Sequence, residues 1–155
     1  MTEPGTVICH GDPKPPNMVW QQHHAVGLID WEDARPAQRI SDVAYAMTWI
    51  SPFFEEDAVL RRRGLPADVD VMGRAEAFLR RYGWSEPLDI LAAVTARRQE
   101  AIKEVVYLGA QGIEPSATWV AEGWPKRWLE AMNAHKHNQG LDTPHRFEPH
   151  PRPVG

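Results

Sequence analysis

Cys9 is the sole cysteine in 155 residues, which excludes an internal disulfide and a cysteine-based zinc site. Basic runs are equally scarce. Only Arg61-Arg62-Arg63 qualifies, the net charge is -4, and such a triplet marks a solvated helix end and not a nucleic-acid surface. No apolar run reaches the ~18 residues of a membrane helix, and no signal peptide opens the sequence. The expectation is a soluble cytoplasmic protein without nucleic-acid or membrane partners. The length suits one domain, large enough to bury about two-thirds of its unfolded surface.

What is present is concentrated near the start. Val7-Ile-Cys-His-Gly-Asp-Pro-Lys-Pro-Pro-Asn-Met-Val-Trp20 and Gly27-Leu-Ile-Asp-Trp-Glu32 hold His10, Asp12, Asn17 and Asp30 between short β-prone runs. Asp12 and Asn17 are too far apart for one helix face and suit the two ends of a tight loop. Pro13, Pro15 and Pro16 forbid helix there and favour one extended path. The run Met18-Val19-Trp20 can turn through Gln21-Gln22-His23-His24 into Val26-Gly27-Leu28-Ile29. That hairpin brings Asp30 beside Asn17, and a carboxylate next to an amide oxygen is a hard ligand pair for Mg²⁺.

His10-Gly11-Asp12 with Asn17, then Ile29-Asp30-Trp31-Glu32, then Ser41-Asp42-Val43-Ala44 resembles the C-terminal lobe of the aminoglycoside phosphotransferase and choline kinase-like family. The resemblance is close over about the first 50 residues and loose beyond. It implies an α+β, mainly helical fold: the C-lobe of a protein-kinase-like fold, with a short catalytic β-hairpin packed on a helical bundle. It implies that Asp12 is the catalytic carboxylate facing a substrate hydroxyl and that Asn17 and Asp30 hold the metal. His10 would brace the loop and Asp42 would anchor it from the following helix. Mg²⁺ and ATP or GTP are the implied cofactors, and the implied acceptor is a small-molecule hydroxyl of aminoglycoside or choline type. Lys14 stands where the family commonly carries His or another small polar residue. It is a weak phosphate contact, and an exposed loop lysine is the plainer reading. Glu32 and Asp33 are weak candidates for an anionic substrate rim.

The resemblance also implies a preceding lobe with a nucleotide-covering loop and a lysine paired with a helix glutamate. No such stretch precedes Val7. The sequence therefore predicts a chain that is weak or inactive as a kinase by itself, or a non-catalytic kinase-like binding module, or a truncated or misassigned start. Either a separate N-lobe chain or a homodimer would cover Val7, Ile8, Val19, Trp20 and Ile29, which are otherwise expected to be partly exposed.

The remaining sequence reads as residues 1–137 of one lobe, with a catalytic hairpin at 7–32 and a helical subdomain at 39–137. Asp33 to Ile40 reads as a loop, and Ser41 as the N-cap of a helix through Ile50. Helices are expected over Glu55 to Arg63, over Pro66 to Tyr82, from Ser85 to about Gly112, and from Ser116 to His137. In the longest one Leu88, Leu91, Ile102, Val105, Val106 and Ile113 fall on the core side. Arg97, Glu100, Lys103 and Glu104 fall mostly on a solvated side. His23 and His24 with His10 do not make a zinc site, since adjacent turn residues diverge. Trp49, Trp84, Trp119, Trp124 and Trp128 read as core packing before they read as a cage for a quaternary ammonium. Residues 138–155, rich in proline and turn formers, are expected to form a poorly ordered tail with solvated histidines.

Overall fold

The protein, as a computed structural model, is described over residues 5–55, 57–138 and 145–149. It is an α+β chain in which small antiparallel strand pairs cap a mainly helical body. Strand β1 (Thr6–Cys9) is followed by a short 3₁₀ turn over Pro15–Asn17 and by the hairpin of β2 (Met18–Gln21) and β3 (His24–Leu28). Met18 lies opposite Leu28 and Gln21 opposite His24, with a bulge between Val19 and Trp20. The turn places Gln22 at a φ of 55°.

Strand β4 (Arg35–Gln38) returns to pair with β1, Thr6 opposite Gln38 and Cys9 opposite Arg35. This corrects the loop expected over Asp33 to Ile40. Pro36 cannot donate to a ladder, but a two-stranded sheet offers an edge where that donor is not needed.

The helices are α1 (Ile40–Ile50), α2 (Asp57–Arg62) and α3 (Val71–Tyr82). Beyond strand β5 (Leu88–Asp89) come α4 (Ile90–Ala110), α5 (Ser116–Ala121) and α6 (Trp124–Asn138). Helix α1 starts at Ile40 without a side-chain cap, so Ser41 is not its N-cap. Helices α3 and α4 start later than expected, because an aspartate caps each. Asp70 Oδ1 accepts from the Gly73 amide at 2.8 Å and Asp89 Oδ1 from the Ala92 amide at 2.9 Å. Such caps satisfy amides that the first helical turn leaves orphaned. The single helix expected from Ser116 is split into two at Gly123, whose φ of 76° leaves the helical region.

Met47, Leu79, Ile90 and Val94 from α1, α3 and α4 form the centre of the core, joined by Phe53, Met132 and Phe147. Val106 and Ile113, expected on the core side, are 45% and 46% exposed. Phe147, in the stretch expected to be a poorly ordered tail, is part of the core. It lies in strand β6 (Arg146–Phe147), which pairs with β5, and its ring is buried at 2% exposure. His145 fixes the approach, its Nε2 lying 2.8 Å from Glu76 Oε1 on α3. It is therefore not a freely solvated histidine. Residues 139–144 and 150–155 of the expected tail, His150 among them, lie outside the described residues.

The outer face of the N-terminal layer stays open among the described residues. Ile8 is 67% exposed, and Val7, Val19, Trp20 and Ile29 are exposed as well. No helix of the described residues is long and apolar enough to cross a membrane.

Candidate active site

The site is built on the loop that leaves β1. Cys9 ends the strand with its thiol buried, and burial raises its pKa. The chain then bends at Gly11, whose φ is +89° and whose missing side chain matters. A Cβ there would sit 2.5 Å from the Asp33 carbonyl oxygen and 2.8 Å from the Asp33 Cβ. Only glycine combines that backbone with that approach.

Asp42, in the first turn of α1, accepts from two successive loop amides. The His10 N–H reaches Oδ2 at 2.6 Å and the Gly11 N–H reaches Oδ1 at 3.0 Å. One carboxylate thus satisfies two buried-edge donors and fixes the loop to the helix. His10 is 2% exposed. Its Nδ1 accepts from the Asp12 amide at 3.3 Å, which leaves the ring proton on Nε2 to be donated to the Ile29 carbonyl at 2.9 Å. The Trp31 ring packs against it with centroids 4.7 Å apart. His10 therefore braces the loop against the segment that carries Asp30, and it has no lone pair left for a metal shared with the exposed His23 and His24.

Asp12 is held on every side. Asn17 Nδ2 donates to its backbone oxygen and to Oδ2, both at 3.0 Å. The Tyr45 hydroxyl donates to Oδ1 at 2.5 Å, and Lys14 Nζ lies 2.5 Å from Oδ2. Lys14 is thus a partly buried ion-pair partner of Asp12 and not a free loop lysine. The prolines act as expected, since a turn closes from the Lys14 amide to the Asp12 carbonyl and the Asn17 amide returns to the Lys14 carbonyl.

Asn17 is buried, and with Nδ2 committed to Asp12 its Oδ1 points the opposite way. The Ile29 amide donates to the Asn17 carbonyl at 3.0 Å, so the residue that precedes Asp30 is tied to Asn17. Asp30 has a φ of 66°, a conformation uncommon outside glycine and concentrated at functional sites. An amide oxygen and a carboxylate fit Mg²⁺, an ion that takes few protein oxygens and fills its shell with water and phosphate. Among the described residues no three His, Cys, Asp or Glu side chains form a protein-only metal cage.

Two residues of the site escaped the sequence reading. Tyr45 lies three positions after Asp42 on the same helical face, a spacing that could have found it. Arg97, assigned to a solvated face, is instead 5% exposed. Its Nη2 donates to the Gly11 carbonyl at 3.0 Å, and its guanidinium lies 4.8 Å from the centre of the Tyr45 ring. Its Nε and Nη1 have no hydrogen-bond partner among the described residues.

Burial, followed by the hydrogen bond to Asp12, pushes the Tyr45 phenol up to about 12. Tyr45 and Arg97 also form the floor of a cavity of about 230 Å³, with Trp49, Trp128, Glu55 and Arg98 among its walls. Glu32 and Asp33 are not among its lining residues. Both are exposed, and Asp33 instead closes over Gly11.

No curated protein and no solved structure matches this chain. A model of the phosphotransferase enzyme family matches residues 2–87, which hold the loop, the hairpin, Asp42 and Tyr45. With more than half of its length matched, the chain belongs to the phosphotransferase enzyme family.

Proposed function

We propose that this chain is the acceptor-side lobe of a kinase-like phosphotransferase, moving the γ-phosphoryl group of a nucleoside triphosphate to the hydroxyl of a small molecule. The observation that carries the reading is the preorganised Asp12. Its carboxylate is oriented by Tyr45 and Asn17, and its backbone is fixed through Asp42 and His10. Each carboxylate oxygen can accept more than one hydrogen bond, so Asp12 retains capacity for an acceptor hydroxyl. It would orient that hydroxyl and take its proton as the oxygen attacks phosphorus.

Asn17 Oδ1 and Asp30 would hold Mg²⁺, which when bound neutralises charge on the transferring phosphates. The chain's own contribution is positional. Asp42 holds the loop, His10 fixes the Asp30 segment, and Lys14 offers a cation beside Asp12 that phosphate oxygens could share. Transfer of this kind gains most of its rate from positioning and electrostatics.

The test is phosphoryl transfer from ATP to a panel of alcohols, with a divalent ion present or chelated, in the purified chain and in Asp12→Asn. Transfer that needs the metal and falls by about 10²-fold or more in Asp12→Asn supports the reading. Transfer that survives the substitution overturns it.

A further inference from the structure

The cavity behind Asp12 has a charge pattern of its own. Arg97 lines it with a guanidinium that is 5% exposed, and Nε and Nη1 find no hydrogen-bond partner among the described residues. Arginine does not shed its proton in proteins, so this is a buried cation with donors to spare. The Tyr45 ring beneath it offsets part of that cost through its negative face. Arg98 follows on the same wall, its guanidinium 5.6 Å from the centre of the Phe54 ring. Against these two cations the lining provides, among the described residues, one carboxylate, Glu55. Asp12 lies behind the Tyr45 hydroxyl and is already paired with Lys14.

Apart from Thr48 the remaining lining is apolar, with Trp49 contributed by α1 and Trp128 by α6. The volume of about 230 Å³ exceeds the ~150 Å³ that suffices for benzene in an apolar protein cavity. An aromatic ring with a short charged arm is therefore the right scale.

We propose that this cavity is the acceptor site and that it takes a small organic anion, a hydroxylated carboxylate with a flat apolar body. The carboxylate would meet the Arg98 head and the unpartnered edge of Arg97, since planar guanidinium donors match carboxylate oxygens in pairs. The body would lie between the two indoles. Aminoglycosides and quaternary ammonium compounds, the cationic acceptors that the sequence resemblance implies, would set their charge against two arginines. Naming the ligand as the acceptor rests on the phosphotransferase reading, whereas the preference for an anion rests on the cavity alone.

Three probes with one body and three head groups decide the matter: para-hydroxyphenylacetate, the neutral alcohol tyrosol and the cationic amine tyramine. Each is titrated into the full chain without nucleotide, and the indole resonances of Trp49 and Trp128 are followed. The anion is expected to bind at least about tenfold more tightly than the amine, the difference a charge-assisted hydrogen bond makes. Arg98→Gln should erase most of that preference. Glu55→Gln, which removes the opposing carboxylate without touching the arginines, should strengthen the anion further and covers the case in which Arg98→Gln does not fold. An amine that binds as tightly as the anion, a preference unchanged in the folded variants, or indoles that none of the probes moves would each overturn the proposal. Anion binding together with transfer that survives Asp12→Asn would leave the cavity assignment standing and sink the kinase reading. Asp12-dependent transfer to cations alone would do the reverse.

Discussion

Arg97 donates to the carbonyl of Gly11 across 86 positions of sequence, at 3.0 Å. The middle of the longest helix is thereby tied to the bend of the Asp12 loop. Burying an unshared guanidinium is costly, and that cost is tolerated where the charge has a use.

Arg97→Ala should destabilise the chain by about 2–4 kcal/mol, because it leaves the Gly11 carbonyl unpaired and a void under Tyr45. Urea unfolding followed by tryptophan emission measures this, with a lower midpoint and an unchanged slope as the expected outcome. Arg97→Lys should recover little, since an ammonium cannot reach the carbonyl and span the ring as the planar fork does.

Gly11→Ala tests the bend directly. The positive φ and the 2.5 Å approach to Asp33 both act against a side chain, so a loss of about 2 kcal/mol or more is expected. Asp33 must move to admit the methyl group, and amide shifts in residues 31–35 would report it. A stability equal to the parent would mean that the loop is not held as described.

Asp42 separates anchoring from a simple favourable position at a helix start. A charge at that end is worth up to ~1 kcal/mol, whereas two amides deprived of their acceptor cost about 2–4 kcal/mol together. Asp42→Ala should therefore cost more than the helix-end effect alone. Asp42→Asn keeps one acceptor oxygen and should fall between. Equal stability of the Asn and Ala variants would contradict the paired contact with His10 and Gly11.

Tyr45 gives the fold a dependence on alkaline pH. Its phenol is pushed up to about 12 in the folded chain, from an ordinary value of about 10. The folded state holds this proton longer than the unfolded one. Its stabilisation is complete below about pH 10 and is lost as pH rises toward about 12. Stability should decline across that window, and Tyr45→Phe should flatten the decline while costing about 1–2 kcal/mol at neutral pH for the lost bond to Asp12. An identical slope in the Phe variant would place the titration elsewhere.

The loop that carries Asp12 was legible because its determinants are local. Three prolines, one glycine and the Asp12–Asn17 spacing act within a few residues, and the hairpin follows from two β-prone runs joined by a polar turn. Asp42 was legible for its place in a motif, while Tyr45 three residues on was overlooked. Arg97 carried no local signal, since a charged residue in a long helix reads as solvated until the loop it supports is in view. Strand β4 was hidden by Pro36, which argues against a strand except at an edge. Strand β6 was hidden by surrounding prolines, although Phe147 reaches the core and His145 pins its entry. The helix starts were misplaced wherever an aspartate closer to the apolar run made the cap.

The central claim is that loop and hairpin together make a metal site for phosphoryl transfer. Titrating Mg²⁺ into isotopically labelled chain, with amide shifts read at each residue, tests it most directly. The account predicts saturable shifts at Asn17 and Asp30, extending to Asp12 through the shared amide, and their loss in Asp30→Ala, an exposed site where the fold should survive. No shift at these residues, or shifts that persist unchanged in Asp30→Ala, would contradict it.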